Sequence, residues 1–221
     1  MYDILRQNST TMLVEVKEHL NLINGISESS PRQVHTSINS AKGLFFVHIY
    51  GVFEFTVKNS VNKTLQIINN TNVKISECKP IFMTLALNNC CDSLNSVGPS
   101  RQWEKRWDIF SKIDTEEIVF INEDVFPTDG KNIRKKQLES IFKSFGISEP
   151  ILPRSELGGT IMELVENRNK VAHGEAAASE IGKRYSMRDL FKKYDDISET
   201  CTYIINTFEE YTNNHSYKKQ A

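Results

Sequence analysis

The sequence has no uninterrupted apolar run of the length needed to cross a membrane. Its first residues also lack the positively charged start and the short apolar stretch of a secretory signal peptide. These two absences predict a cytoplasmic protein with no membrane association.

Cysteine is scarce and is not arranged for metal binding. The cysteines are Cys78, Cys90, Cys91 and Cys201, and no two of them form a Cys-x-x-Cys pair. The histidines are not spaced as zinc ligands either. We therefore predict reduced thiols, no metal site and no cofactor.

Neither sign of charge dominates the chain. It has 27 Lys and Arg against 28 Asp and Glu, for a formal net charge of -1. This balance excludes the strongly basic class of nucleic-acid-binding proteins, so any contact with nucleic acid must be local. The chain also lacks internal repeats, low-complexity segments and shifts in composition. The uniform composition therefore predicts a single domain over residues 1–221.

What the sequence does have is helical periodicity, because apolar side chains recur every three or four residues. The predicted helices cover residues 3–24, 39–70, 77–94, 101–113, 133–145, 155–173 and 186–215. Residues 114–132 include short extended pieces, and residues 175–185 form a loop or a weak short helix. The pattern predicts an all-α fold, a single-domain up-and-down helical bundle with additional short helices.

The helix predicted at 155–173 carries an arginine within its apolar face. At about 100° per residue, five side chains share that face: Ile161, Leu164, Val165, Val171 and Ala172. Arg168 falls near the middle of them. Asn169 lies at the edge of the face, and His173 follows four residues later, so these two side chains are neighbours. Gly174 supplies the usual left-handed stop after the last turn.

Arg168 and His173 also have an ordinary structural interpretation. A histidine in the last turn of a helix interacts favourably with the helix dipole. An arginine can extend from an apolar face to water. On spacing alone, a structural role and a functional role for Arg168 and His173 are equally open.

The segment Arg168–Gly174, which reads RNKVAHG, resembles the R-N-x-x-x-H signature of the HEPN superfamily, the higher-eukaryote and prokaryote nucleotide-binding domains. With Glu175 it is similar to the prokaryotic members that carry R-N-x-[IV]-A-H-G-E. The resemblance implies a helical fold and a metal-independent endoribonuclease of a toxin–antitoxin or phage-defence system. It also implies a homodimer in which two motifs share one cleft, with an antitoxin or another defence protein as a possible partner.

The chemistry that the resemblance implies suits these residue types. The 2′-OH of RNA is an internal nucleophile, so the protein must deprotonate it, align it and stabilise a crowded phosphorane. His173 suits the proton transfer, Arg168 suits the phosphate charge, and Asn169 can orient His173 or a phosphate oxygen. Many active members carry a Tyr shortly after the His, where this chain has Gly174. The alternative is a non-catalytic HEPN module that binds a partner protein or a nucleotide.

A second charged residue interrupts an apolar stripe. In the helix 39–70, Glu54 is the one acidic member of a series that steps by three and four: Val47, Tyr50, Glu54, Val57, Val61, Leu65 and Ile68. A lone acid there is costly without a partner. We predict that Glu54 lies close to Arg168 and belongs to the catalytic site. The alternative is a carboxylate at the edge of the stripe that reaches water.

The segment 101–113 combines Trp103, Trp107 and Phe110 with basic residues. Aromatic side chains interleaved with arginine can stack on RNA bases. Arg101 and Arg106 are therefore candidate RNA-binding residues, together with Lys170 of the motif helix. The alternative is that the tryptophans anchor a peripheral helix to the rest of the protein.

Overall fold

The structure, a computed structural model, describes residues 1–29 and 36–219. The α-helices of these residues are Asp3–Ser29 (α1), Thr36–Asn69 (α2), Met83–Ala86 (α3), Asn88–Ser96 (α4), Pro99–Lys112 (α5), Lys135–Phe145 (α6), Leu157–Ala172 (α7), Ala178–Gly182 (α8) and Met187–Asn213 (α9). Within the described chain no strand forms, and the extended pieces make only isolated bridges. The predicted all-α class is confirmed.

The single helix predicted over 77–94 is wrong, because this stretch is broken into short pieces. Two 3-10 turns, Ile75–Glu77 and Pro80–Phe82, precede α3, and Leu87 separates α3 from α4. Pro80 has no amide hydrogen and fixes its own φ, so it begins a turn rather than continuing one. The amide of Lys79 donates to the carbonyl of Tyr217 at 2.8 Å, which holds the preceding residues in an extended conformation.

The chain forms two compact units. The first unit contains the described residues of Met1–Asn59, with Asn132–Lys135 and Leu152–Asn206. The second contains Ser60–Lys131, Lys136–Ile151 and the described residues from Thr207 onward. The single-domain organisation stays a prediction. All of the motif residues belong to the first unit.

The core of the first unit is built around the first part of α2. Its side chains Phe45, Phe46, Ile49 and Phe53 are fully buried. Because aromatic and branched side chains occupy several sides of this helix, α1, α7 and α9 can all contribute apolar residues to one core. The hydroxyl groups of Ser9 in α1 and Thr56 in α2 lie 2.8 Å apart, which satisfies two buried polar groups.

The short helix α8 lies against α2 through two glycines. A Cβ atom on Gly182 would come within 1.9 Å of the carbonyl oxygen of Asn39, and one on Gly43 within 2.0 Å of the carbonyl oxygen of Ala178. Only glycine permits this approach of backbone to backbone. The chain that follows the motif is therefore fixed to α2 before α9 begins.

The second unit has an aromatic core of its own. Phe145 of α6 packs edge-on against Phe208 and Tyr211 of α9, with ring centroids 5.3 and 5.7 Å apart. In contrast, α4 and α5 contribute no buried residue. These two helices are peripheral to the core of their unit.

Candidate functional site

The C-terminal end of α7 presents the motif. The backbone of His173 caps the helix, and its amide donates to the carbonyl of Asn169 at 2.9 Å. Gly174 follows with φ of +70°, the left-handed conformation that its sequence position predicted. The amide of Ala176 then bonds to the carbonyl of Lys170 at 3.1 Å, which closes the end of the helix.

The buried face of α7 differs in part from the predicted stripe. Ile161, Leu164 and Val165 are buried as predicted, whereas Ala172 is exposed. Asn167 takes the place of an apolar residue, with only 4% of its surface exposed. Arg168 is therefore half-buried beside the core rather than inside it.

Neutral groups hold Arg168 in place. Together with it they form the Arg168 cluster, which consists of Tyr50, Asn132, Arg168 and Asn169. The guanidinium carbon lies 4.8 Å from the centre of the Tyr50 ring, a cation–π contact. Nη1 of Arg168 donates to Oδ1 of Asn132 at 3.2 Å and to Oδ1 of Asn169 at 3.0 Å. Within the described chain, Nε and Nη2 of Arg168 make no hydrogen bond.

The other members of the cluster are tied to one another. Nδ2 of Asn132 donates to Oδ1 of Asn169 at 3.0 Å, and the Ile133 amide donates to the Tyr50 hydroxyl at 3.0 Å. Burial raises the pKa of Tyr50, although the hydrogen bond from Ile133 and the charge of Arg168 oppose this. Tyr50 therefore stays a neutral phenol with its ring available to the cation.

Glu54 and Arg168 form no direct ion pair within the described residues, although the charges of both act on the pKa of Tyr50. The carboxylate of Glu54 instead lies 2.8 Å from Nζ of Lys58, one helical turn further along α2, and its side chain is 28% exposed. Lys58 meets the charge locally, as i,i+4 pairs do, so Glu54 reaches water at the edge of the stripe. A catalytic role for Glu54 has no structural support and stays an untested prediction.

His173 is exposed at the end of α7, and its ring bonds to no other residue of the described chain. The side-chain oxygen of Asn169 accepts from Arg168 and Asn132 rather than from the imidazole. Asn169 therefore positions Arg168, a role that the sequence did not predict. An imidazole open to solvent can exchange protons with a bound substrate.

A second polar group, the Tyr185 cluster, lies along α7 and was missed in the sequence: Glu163, Asn167, Tyr185 and Lys193. Nδ2 of Asn167 donates to the Tyr185 hydroxyl at 2.7 Å, and that hydroxyl donates to Oε1 of Glu163 at 2.5 Å. Lys193 forms an ion pair with Glu163. Burial, followed by the hydrogen bond to Glu163, raises the pKa of Tyr185 to about 12. The sequence signal was Asn167, a polar residue at a core-facing position.

The predicted RNA-binding residues lie in both units. Lys170 is half-buried on α7, whereas Arg101 and Arg106 are exposed on α5. Trp103 and Trp107 are 61% and 66% exposed, so they do not anchor α5 to a core. Among the described residues, no group of three or more His, Cys, Asp or Glu could hold a metal ion. In the same part of the chain, no helix is both long and apolar enough to span a membrane.

The family model described as RiboL-PSP-HEPN matches residues 12–210. The chain therefore belongs to this HEPN family, and the resemblance seen in the motif is confirmed over nearly the whole sequence. Neither the curated proteins nor the solved structures gave a match.

Proposed function

We propose that the protein is a metal-independent endoribonuclease of the HEPN type, in a cytoplasmic toxin–antitoxin or phage-defence system. The observation that carries this proposal is the state of Arg168. Nη1 and one face of the guanidinium are used by neutral groups, while Nε and Nη2, the planar pair of donors on the other edge, make no hydrogen bond within the described chain. Such a fork matches two oxygens of a phosphate.

The proposed reaction uses the 2′-OH of RNA as the nucleophile. His173 removes the proton as O2′ attacks phosphorus, and Arg168 stabilises the charge on the phosphorane. The bond from phosphorus to O5′ breaks, and the leaving oxygen takes up a proton. The products are a 2′,3′-cyclic phosphate, or its 3′-phosphate hydrolysis product, and a 5′-hydroxyl.

A homodimer would complete this site. The exposed face of α7 includes Met162, Glu166 and His173, and a two-fold axis there brings two motifs to one cleft. A single motif has one imidazole, which already takes the proton of the 2′-OH. In the dimer, the second His173 protonates the leaving oxygen. Light scattering that gives 25 kDa at every concentration would refute the dimer.

The test is cleavage of single-stranded RNA by the purified protein in EDTA, with His173→Ala and Arg168→Ala measured beside it. His173→Ala should lower the rate by roughly 10²–10⁴-fold, as loss of a general base does. Its folding should be intact because the side chain is exposed. DNA should resist cleavage, because it lacks the attacking hydroxyl.

Cleavage that survives in His173→Ala, that EDTA abolishes, or that proceeds equally on DNA would overturn the proposal.

The second candidate function is that of a non-catalytic HEPN module. It is favoured by one observation, that Gly174 and Glu175 stand where many active members carry a tyrosine. Inactivity on every RNA, with and without partner proteins, would support it.

A further inference from the structure

Helix α5 turns its most apolar face to solvent. Trp103, Trp107 and Phe110 are 61%, 66% and 71% exposed. Their spacing of four and three residues places them on one side of the helix. The inward side instead carries less apolar residues, namely Gln102, Lys105, Ile109 and Lys112. Exposed aromatic surface of this kind is unfavourable in water and marks a binding face.

One arginine lies at the edge of the exposed face. At about 100° per residue, Arg106 is within roughly 70° of the centre of the face, whereas Arg101 lies on the opposite side of α5. Four basic and two acidic residues lie in α5, although the whole chain has a net charge of -1. Arg101 and Arg106 form no ion pair within the described chain. The guanidinium carbon of Arg106 lies 4.8 Å from the centre of the Trp103 ring, a cation–π contact that covers part of one ring face.

Of the two acidic residues in α5, Asp108 has a partner, whereas Glu104 forms no ion pair within the described chain. Asp108 lies 3.4 Å from Nζ of Lys105. After the helix, Asp114 is 2.9 Å from Nζ of Lys219, and Glu116 is paired with Lys74. Because α5 carries four basic and two acidic side chains, the helix has a positive charge, which suits a polyanion.

The area of the face favours a narrow ligand. A fully exposed aromatic side chain has a surface of about 150–250 Å², so the exposed parts of these three side chains amount to roughly 400 Å². A stable interface between proteins buries about 800 Å² on each partner. The face is therefore too small by itself for a stable dimer, whereas three rings in a row suit three bases of one strand.

We propose that α5 binds single-stranded nucleic acid. Successive bases stack on Trp103, Trp107 and Phe110, while Arg106 contacts a phosphate. Stacking depends little on base identity, because every base has a π face. This surface goes beyond the cleavage reaction and requires nothing of His173, so binding and cleavage can be tested separately.

The experiment uses the intrinsic fluorescence of the protein, because Trp103 and Trp107 are its only two tryptophans. Full-length His173→Ala protein, which the proposed mechanism leaves unable to cleave, is titrated with a uridine 12-mer, a thymidine 12-mer and a 12-base-pair duplex. Both single strands should quench the emission, and the duplex should do so far less. Failure of cleavage in the wild type would not affect this result.

Two variants in the same background locate the contact. Phe110→Ala should weaken binding about 10-fold, as loss of one stacked base does. Arg106→Ala should lower the slope of log affinity against log salt by about 0.7, because one phosphate contact of a single strand is lost. Arg101→Ala, on the opposite side of α5, should leave the slope unchanged. The matched controls are Leu22→Ala, an exposed apolar residue of α1, and Arg188→Ala, an exposed basic residue of α9.

Three results would overturn the proposal: no quenching by either single strand, equal quenching by the duplex, or variants that behave like their controls. A fourth is a shift of the emission with protein concentration in the absence of nucleic acid. That shift would mean that a second copy of the chain covers the face.

Discussion

The two polar clusters on α7 both place a cation over a tyrosine, but they balance its charge differently. In the Tyr185 cluster, Lys193 lies over the Tyr185 ring at 5.5 Å and is also paired with the carboxylate of Glu163. In the Arg168 cluster, Arg168 lies over the Tyr50 ring at 4.8 Å and is bonded only to amide oxygens. No carboxylate of the described chain lies within ion-pair distance of Arg168.

This difference separates a structural contact from a site for an anion. A cation with its own carboxylate gains little from a further anion and loses a partner by turning to one. A cation held by amides and a ring keeps its geometry and its net charge, so an arriving phosphate supplies the missing counter-charge. The Tyr185 cluster therefore links α7 to α9, whereas the Arg168 cluster leaves the charge of Arg168 unbalanced, as the proposed anion site requires.

The largest expected effect comes from breaking the Tyr185 cluster with Tyr185→Phe. The change removes the acceptor of the Asn167 amide, which is only 4% exposed, and the donor to Glu163. A buried group left without its partner costs about 1–3 kcal/mol. Urea unfolding should show this loss in the free energy of unfolding, with cleavage per folded molecule unchanged.

Tyr194→Phe is the matched control for that change. Tyr194 is half-buried on α9, and its hydroxyl makes no hydrogen bond within the described residues. It should lose almost no stability. Equal losses in the two variants would show that Asn167 and Glu163 do not depend on the Tyr185 hydroxyl.

A smaller effect is expected when the Arg168 cluster is made to resemble the Tyr185 cluster. Asn132→Asp gives Arg168 a carboxylate at the position of its present amide acceptor. Because hydrogen bonds to charged groups contribute about 1.5–3 kcal/mol, the carboxylate should compete with phosphate and lower cleavage roughly 10-fold. Thermal unfolding should change little, because the new ion pair offsets the lost hydrogen bond from Nδ2 of Asn132 to Oδ1 of Asn169.

Asn206→Asp controls for the new charge alone. Oδ1 of Asn206 accepts from Nη1 of Arg6 at 2.8 Å, so this variant also places a carboxylate beside an arginine, but away from the motif. Its cleavage rate should match that of the wild type. If Asn132→Asp cleaves at the same rate as this control, Arg168 does not act as an anion site.

The same contrast shows which features a sequence can predict. Helices α7 and α9 begin and end within two residues of the prediction, because periodicity and the Ser186–Asp189 capping contacts are local. The ion pair of Glu54 with Lys58 is also local, because the two residues lie four positions apart on one helix. The contact of Asn132 with Arg168 joins residues 36 positions apart, and no local pattern encodes it. In the sequence, Tyr50 fits an apolar stripe as well as its neighbours do, so its cation–π contact with Arg168 leaves no local signal.

The smallest expected effect is the pH dependence of the Tyr185 cluster. Burial opposes the ionised form of Glu163, but hydrogen bonds from Lys193 and Tyr185 outweigh it and lower the pKa of this carboxyl below its ordinary 4.5. A pKa that is lower in the folded state stabilises the fold above about pH 4.5, and this contribution disappears as the pH falls through the lowered value. Because the Glu163 side chain is 39% exposed and therefore screened by solvent, we expect this contribution to the free energy of unfolding to be only about 0.2–1 kcal/mol.

Glu163→Gln should thus lose less stability than the wild type between about pH 5 and pH 3, measured by urea unfolding, while the other carboxyls titrate equally in both proteins. Parallel curves over that range would show that Glu163 is not stabilised by its partners, and 0.5 M salt should narrow any difference that is found.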